Sequence, residues 1–152
     1  MVKIKYSLLE INLTTGEKKI LEYEENTLRK YFGGSGLSAF LLFDLLNPYL
    51  DPFHPENPII FMTGLLTGIP VPCGCRISVC AKSPLGIWGE ANAGGYWGPE
   101  LKFTGFDGLL IKGKADKPVY LYITPQGAEI REAIDLWGKG TFLTTEKLLA
   151  AT

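Results

Sequence analysis

The order of apolar and polar residues predicts a hairpin at the start of the chain. Residues 6–13 alternate between apolar and polar side chains, which is typical of a strand with one solvated face. The turn residues at 14–16 follow, and residues 17–23 have the composition of a returning strand. The two segments are therefore predicted to pair as an antiparallel β-hairpin.

Two helices are predicted after the hairpin. Residues 25–31 have the pattern of a short helix, with Asn26 or Thr27 as its N-terminal cap and Gly33 as its end. Residues 35–46 form the strongest helix candidate, because apolar side chains occupy most of its surface. We expect this second helix to be packed on most sides.

The rest of the chain has mainly the composition of strands. Residues 58–63 form a short apolar run that opens into a loop rich in glycine and proline, 64–74, which is long enough to line a site. A final helix from about Thr144 reaches Thr152 with no stop signal, so we expect the natural chain to continue. Further strands are predicted at residues 76–82, 86–91, 107–112, 118–124 and 128–133.

These elements predict one domain over residues 1–152. Its class is α+β: it is β-rich, with mostly antiparallel sheets and a few short helices packed on them. A length of 152 residues is enough to bury one core.

Composition and charge exclude several classes of partner. The formal net charge of −1 gives no electrostatic signature for nucleic acid or for an anionic membrane. The apolar runs at 37–43 and 58–62 are too short to span a bilayer. Met1 and Lys3 lead straight into the first amphipathic segment, so no secretory signal is recognised and a cytoplasmic location is expected.

The cysteines Cys73, Cys75 and Cys80 are clustered and odd in number, which argues against a secreted disulfide framework. The only histidine, His54, lies in a proline-rich loop with no metal-ligand spacing to them, and we interpret it as a solvated loop residue. We interpret the cysteines as small buried residues.

The clearest chemistry lies in the stretch 91–108. Asn92 and the pair Gly94 and Gly95 stand directly before a segment with helical spacing. Adjacent glycines let the backbone approach a ligand where a Cβ would collide, and the N–H groups at a helix start favour an anion. The alternative is a tight turn whose glycines serve only close packing.

Arg76 opens the strand that is predicted to pair with the one ending at Asn92. Antiparallel pairing places both residues at the same end of the sheet, so one ligand could touch both. The guanidinium could supply a bidentate fork to a phosphate or carboxylate. The residues therefore predict an anion site, suited to a phosphorylated cofactor.

A series of motifs along the whole chain resembles a known family. In this order they are similar to the N-terminal domain of the tungsten-containing aldehyde ferredoxin oxidoreductases. The motifs are NLTTG at 12–16, GSGL at 34–37, GLLTG at 64–68, Arg76, KSPL at 82–85, the stretch 91–108, GKA at 113–115, KPVY at 117–120 and WGK at 137–139.

The resemblance implies a domain that serves as a β-rich base for a tungstopterin. In that family two pterins hold the metal, tungsten or molybdenum, through dithiolenes, and magnesium bridges the pterin phosphates. By resemblance, Asn92 supplies its backbone carbonyl to the magnesium. Arg76 and the backbone around Ala93, Gly94 and Gly95 contact pterin phosphate, and no catalytic residue is expected in this chain.

The remaining parts of such an enzyme are implied to lie outside this chain. The family holds a four-iron cluster through cysteines in later domains, which also carry the groups that handle the aldehyde. Cys73, Cys75 and Cys80 lie in the amino-terminal domain, so the resemblance does not imply them as cluster ligands. Cys73 and Cys75 flank Gly74 where the family tends to have small residues, close to Arg76, and a role beyond packing is left open. The implied partners are the carboxy-terminal domains of the same protein, ferredoxin and an aldehyde substrate, with homo-oligomerisation left open.

The resemblance implies an enzyme that oxidises an aldehyde to a carboxylic acid with ferredoxin as electron acceptor, and this fragment alone would be inactive. A related tungstopterin enzyme acting on another carbonyl or thioester compound is an alternative. Another is a non-catalytic domain whose strand with Tyr120 and Tyr122 faces a partner. A nucleotide-binding domain is disfavoured, because no glycine-rich turn joins a parallel strand to a helix.

Overall fold

The chain was analysed as a computed structural model, which describes residues 5–152. Residues 1–4, on which the expectation about a secretory signal depends, lie outside the described residues. The elements of the described part are β1 (Lys5–Asn12), β2 (Lys18–Glu24), α1 (Glu25–Tyr31), α2 (Gly34–Leu45), β3 (Ile59–Thr63), β4 (Ile77–Lys82), β5 (Trp88–Ala93), α3 (Trp97–Phe103), β6 (Gly108–Lys112), β7 (Val119–Thr124), β8 (Gly127–Glu132) and α4 (Thr141–Ala151).

Six strands form one sheet in the order β2, β1, β6, β3, β4 and β5, and β7 pairs with β8 in a separate hairpin. Neighbouring strands of the large sheet are antiparallel except β1 and β6, which run parallel. The predicted α+β class with mostly antiparallel strands is therefore confirmed. Because β5 is an edge strand, half of its backbone groups have no partner in the sheet.

The large sheet is covered on both faces by apolar side chains. One face packs against α1 and α2, and the buried residues of this first cluster are Tyr6, Leu8, Leu28, Leu37, Leu41, Leu42, Ile60, Met62, Cys80 and Leu110. The other face packs against α3, the loop after it and the β7–β8 hairpin, with Leu9, Ile11, Leu101, Phe106, Leu109 and Ala128 buried. The alternation of side chains along each strand supplies both faces at once.

The ends of α1 differ from the prediction. Its N-terminal cap is Glu24, which makes no side-chain capping hydrogen bond, so neither Asn26 nor Thr27 has that role. At the other end Phe32, rather than Gly33, is the capping residue and adopts the left-handed conformation with φ of 58°. Gly33 also has a positive φ, 74°, which favours glycine, and a Cβ there would lie 2.8 Å from the Tyr6 hydroxyl.

The expectation that α2 is packed on most sides is wrong within the described residues. Leu37, Leu41 and Leu42 are buried against the sheet, whereas Phe43 is 88% exposed and Leu45 is 55% exposed. The sheet covers one side of the helix, and most of the Phe43 and Leu45 side chains lies outside that contact. Periodicity identified the helix but not which apolar residues have a partner.

Two other boundaries were predicted wrongly. The β5 strand runs from Trp88 to Ala93 and not over residues 86–91, because Ser83, Gly86 and Ile87 belong to the turn that precedes it. Asn92 and Ala93 therefore lie inside an edge strand rather than after it. The last helix, α4, begins at Thr141 rather than near Thr144.

Candidate functional site

The β4–β5 hairpin brings the predicted site residues to one end of the sheet. Ile77 pairs with Ala93, and Ser78 pairs with Asn92. Arg76, the residue before β4, therefore stands beside the point where the chain leaves β5 toward Gly94. The predicted placement of Arg76 and Asn92 at the same end of the sheet is confirmed.

The side chain of Asn92 is already engaged by its neighbours. Its amide oxygen accepts a hydrogen bond from the Ser78 hydroxyl at 3.0 Å, and its amide nitrogen donates to the Glu90 carboxylate at 3.0 Å. Glu90 also accepts a hydrogen bond from the Trp88 indole at 3.3 Å. The amide is thus held in place, which leaves the backbone as the part of Asn92 that can meet a ligand.

The register of the hairpin shows where the backbone of Asn92 points. The Ser83 N–H donates to the Ile87 carbonyl at 2.8 Å, directly beyond the pair formed by Lys82 and Trp88. Antiparallel pairs alternate between hydrogen-bonded and non-hydrogen-bonded positions, so the pair of Ser78 and Asn92 is of the second kind. The carbonyl of Asn92 therefore points outward from the edge of the sheet.

Gly94 and Gly95 are open to solvent. A Cβ added at either glycine would meet no atom of the described chain within 4 Å. Gly95 has φ of 95°, which favours glycine, but Gly94 has no such constraint. Close packing within the part of the chain that the structure describes therefore does not explain the glycine pair, and a backbone surface remains accessible to a ligand.

Arg76 is exposed, and its backbone is anchored. Its carbonyl accepts a hydrogen bond from the Thr67 hydroxyl at 3.2 Å. No carboxylate of residues 5–152 lies within 4.0 Å of the Arg76 guanidinium, although seven other ion pairs occur there. The guanidinium is therefore available to an anion from outside this part of the chain.

Two neighbouring clefts lie beside these residues. The first has a volume of about 560 Å³ and is lined by Arg76, Phe32 and the start of the 64–74 loop. The second has a volume of about 620 Å³ and is lined by Gly95, Tyr96, Pro99 and the later part of that loop. Cys73 and Gly74 line both clefts, which are therefore adjacent.

The start of α3 offers fewer donors than the sequence predicted. The helix has only seven residues, and Tyr96 at its N-terminus makes no side-chain capping bond. Pro99 has no N–H, and the Glu100 N–H already donates to the Tyr96 carbonyl at 2.9 Å. The Glu100 carboxylate also lies in the first turn. The start of the helix therefore offers few free N–H groups to an anion.

Gly98, which the sequence analysis did not single out, lets α3 approach the start of β4. A Cβ at Gly98 would lie 2.7 Å from Cγ2 of Ile77, 3.1 Å from Cγ2 of Thr67 and 3.2 Å from the Cys75 carbonyl. The signal in the sequence was a glycine inside a segment with helical spacing, which usually has a packing reason.

Lys102, Asp107 and Tyr6, which the sequence did not indicate as important, form a cluster that holds α3 against the sheet. Lys102 in α3 forms an ion pair with Asp107 at 3.1 Å, and its ammonium lies 5.3 Å from the centroid of the Tyr6 ring. The Tyr6 hydroxyl hydrogen-bonds to Thr63, and burial raises the pKa of Tyr6 well above its ordinary value. These contacts join α3, β1 and the end of β3.

The three cysteines do not share one environment. Cys80 is buried as expected, and burial raises the pKa of its thiol to about 11. Cys73 is exposed and left-handed with φ of 61°, and Cys75 is half-buried, so the expectation of burial is wrong for these two. The sharp turn at Gly74 places them on the loop surface. Within residues 5–152, no group of three or more acidic, cysteine or histidine side chains is arranged to hold a metal ion.

His54 is exposed, as predicted, and its Nδ1 accepts a hydrogen bond from the Glu56 N–H at 3.1 Å. In the same range of residues, no helix has both the length and the apolar character needed to cross a membrane.

Comparison with known proteins supports the resemblance in the sequence. The profile of the family described as "Aldehyde ferredoxin oxidoreductase, N-terminal domain" matches residues 8–152. The chain is 47% identical over 132 residues to the tungsten-containing aldehyde ferredoxin oxidoreductase of Pyrococcus furiosus, which covers 86% of this chain and 22% of that protein. It is 40% identical over 138 residues to the aliphatic sulfonate oxidoreductase, WOR-like subunit, of the same organism, covering 88% of this chain and 22% of that protein.

A solved structure has the same fold. The active site complex BamBC of benzoyl coenzyme A reductase, in complex with 1,5-dienoyl-CoA, superposes with a TM-score of 0.93 and 37% identity, covering 97% of this chain and 23% of the compared chain. This chain therefore spans less than a quarter of the length of each of these relatives. It belongs to the family of aldehyde ferredoxin oxidoreductase N-terminal domains.

Proposed function

We propose that this chain is the cofactor-binding domain of a tungsten or molybdenum bis-pterin oxidoreductase that oxidises an aldehyde to a carboxylate and reduces ferredoxin. One observation carries the proposal. An outward-facing Asn92 carbonyl, an open pair of glycines and an Arg76 guanidinium without a carboxylate partner in residues 5–152 meet at one end of a hairpin. The name of the Pyrococcus furiosus relative supports the tungsten and the aldehyde.

The phosphate of a pterin is assigned to Arg76 and the backbone around Ala93, Gly94 and Gly95. A guanidinium offers two parallel N–H groups to phosphate oxygens, and such bonds are stronger than those between neutral groups. The absence of a Cβ at the two glycines lets phosphate oxygens come close to the main chain, where successive N–H groups favour an anion.

Magnesium is assigned to the backbone carbonyl of Asn92. The carbonyl lies at a non-hydrogen-bonded position of an edge strand, and the side-chain amide is occupied by Ser78 and Glu90. Magnesium prefers oxygen ligands and commonly shares them with phosphates, so a free carbonyl beside a phosphate site suits its chemistry. The donor set therefore fits the group that the family implies.

The two clefts suit a cofactor with two pterins. Their volumes of about 560 and 620 Å³ are each in the range of small-molecule sites, and both open at the same end of the hairpin. Arg76 lines one cleft and Gly95 lines the other. The residues of both clefts, which share Cys73 and Gly74, would hold such a cofactor.

When bound, the metal and its dithiolenes would supply the redox chemistry. The residues of this chain would hold and orient the cofactor, with no catalytic residue of their own. The carboxy-terminal domains would carry the four-iron cluster, the groups that handle the aldehyde and the contact with ferredoxin. We place such an enzyme in the cytoplasm, and this domain alone would not turn over substrate.

The test is to purify the full-length gene product without oxygen and to measure its tungsten, molybdenum and pterin content. Aldehyde oxidation with a viologen dye as electron acceptor is measured on the same sample. The proposal predicts metal and pterin in a fixed ratio, together with aldehyde-dependent dye reduction. A full-length folded protein that holds neither metal nor pterin would overturn it.

A second candidate keeps the cofactor and changes the substrate to another carbonyl or thioester compound. It is favoured by the likeness to the active site complex of benzoyl coenzyme A reductase with a dienoyl-CoA. Assays of the metal-loaded protein with aldehydes and with aromatic acyl-CoA thioesters distinguish the two. Turnover of the thioester alone would replace the aldehyde reading while leaving the proposed cofactor site in place.

A third candidate is a non-catalytic domain in which the half-buried strand of Tyr120 and Tyr122 faces a protein partner. Arg131 lies over the Tyr122 ring, with its Cζ 3.9 Å from the ring centroid. One face of this ring is therefore already covered by a residue of the same hairpin. A full-length protein that is stable, monomeric and free of pterin would favour this candidate.

A further inference from the structure

We propose that Thr67 is a positioning residue for Arg76, and that its hydroxyl fixes how the guanidinium meets a phosphate. The inference rests on the proposed function, since it names a residue that prepares the same anion site. Thr67 is among the residues that line the first cleft, but its hydroxyl is engaged by the Gly64 N–H and the Arg76 carbonyl and not free for a ligand. It acts through the backbone of Arg76 and through the loop that forms the wall of both clefts.

The hydroxyl of Thr67 joins the two ends of the loop. It accepts a hydrogen bond from the Gly64 N–H at 3.1 Å and donates one to the Arg76 carbonyl at 3.2 Å. Thr67 is 3% exposed, so water does not compete readily for either bond. One buried side chain therefore closes the segment between the end of β3 and the start of β4.

The rest of Thr67 fixes its own position. Its N–H donates to the Gly64 carbonyl at 3.1 Å, which forms a turn at the beginning of the loop. Its Cγ2 methyl packs against Gly98 of α3, where a Cβ would come within 3.1 Å of it. The hydroxyl is thus held between the loop, α3 and the residue before β4.

Removal of the hydroxyl would leave two backbone groups without a partner. Both hydrogen bonds are partly buried, and a polar group that loses its partner in such a place favours a rearrangement that reaches water. The movable part is the 64–74 loop, with Leu66, Cys73 and Gly74 lining the clefts. Arg76 would then sample several positions, and its bidentate geometry toward a phosphate would be lost.

The test compares Thr67→Val with Thr67→Ser in the full-length protein. Valine keeps the shape and removes the hydroxyl, whereas serine keeps the hydroxyl and removes the methyl. Thr104→Val is the matched control, because the Thr104 hydroxyl donates to the Leu101 carbonyl at 2.6 Å at the far end of α3. Metal and pterin content per folded chain and the melting temperature are measured for each variant.

We expect Thr67→Val to lower metal and pterin content about fivefold or more. Thr67→Ser and Thr104→Val should retain nearly the wild-type content. Equal losses of metal and pterin in Thr67→Val and Thr67→Ser would overturn the proposal, because retention of the cofactor would then not depend on the hydroxyl. If Thr67→Val does not accumulate as folded protein, Thr67→Ala is used, and wild-type content in that variant would likewise overturn it.

A double-mutant cycle tests whether Thr67 acts through Arg76. Arg76→Ala alone should lower the cofactor content, and Thr67→Val should add little to that loss. A further loss of full size in the double variant would show that Thr67 acts independently, and the proposal would fall. A wild-type protein without metal and pterin would contradict the proposed function instead, so the two failures are distinguishable.

Discussion

Lys102 Nζ lies 3.1 Å from the Asp107 carboxylate, and their side chains are only 18% and 16% exposed. The same carboxylate accepts a hydrogen bond from the Ser7 N–H at 2.8 Å, and the ammonium lies 3.5 Å from the Gly64 carbonyl. The pair therefore ties α3 to β1 and to the beginning of the loop that lines both clefts. It supports the site without touching it.

Replacement of Lys102 by methionine should destabilise the fold by about 2–3 kcal/mol, because it leaves the Asp107 carboxylate largely buried without its cation. The measurement is urea unfolding of the purified protein at pH 7. Lys5→Met is the control, since Lys5 and Glu22 form a pair with both side chains 51% exposed. A loss in Lys102→Met no larger than in the control would contradict the structural role of the pair.

Gly98→Ala should destabilise the domain by about 1–3 kcal/mol, because a Cβ at this position comes within 2.7 Å of Ile77. The helix α3 has to move away from β4, so we also expect a lower cofactor content. Thermal unfolding and metal analysis of the same preparation measure the two effects. A variant with unchanged melting temperature would show that α3 is not packed against β4 as described.

Gly94→Ala should lower the cofactor content without lowering stability, in contrast to Gly98→Ala. No atom of the described chain lies within 4 Å of a Cβ at Gly94, so the change should leave the melting temperature nearly unaltered. We expect a lower pterin and metal content, because the new methyl group occupies space at the phosphate site. Full cofactor content in this variant would remove Gly94 from the site.

The stability of the fold should fall as the pH rises from about 9 toward 11. The pKa of the Cys80 thiol is raised by burial from 9.0 to about 11, with a smaller opposing effect from its hydrogen bond to Ser38. In this window the unfolded chain releases the thiol proton and the folded chain keeps it, so a rising pH favours unfolding. Cys80→Ala should show a smaller decline in urea unfolding between pH 8 and 11, and an unchanged decline would contradict this assignment.

The antiparallel pairing of β4 with β5 could be foreseen from the sequence. Alternation after Arg76 and the turn at Ser83 to Gly86 are local signals, and they were sufficient to place Arg76 and Asn92 at the same end. The start of β5, which was predicted wrongly, is determined by the geometry of the turn before it. Because Ile87 pairs with Ser83 inside the turn, the strand begins later and Asn92 lies within it. This shift is what leaves its carbonyl on the outer edge.

Other features depend on contacts between distant parts of the chain. The insertion of β6 between β1 and β3 pairs Leu8 with Gly108 and Ile59 with Ile111, which are far apart in the chain, and no local pattern indicates it. Thr67 and Gly98 acquire their roles only when α3 folds against the loop. The exposure of Phe43 could not be foreseen either, because periodicity marks an apolar surface without showing what covers it.

The central claim is that Arg76 and the backbone at Gly94 and Gly95 bind phosphate groups of a pterin cofactor. The most direct measurement is a crystal structure of the full-length protein purified without oxygen, with the metal located by anomalous scattering. We expect phosphate oxygens within about 2.7–3.2 Å of the Arg76 guanidinium and of N–H groups at the glycine pair. An Arg76 guanidinium that instead pairs with a carboxylate of another domain, with the cofactor bound elsewhere, would contradict the account.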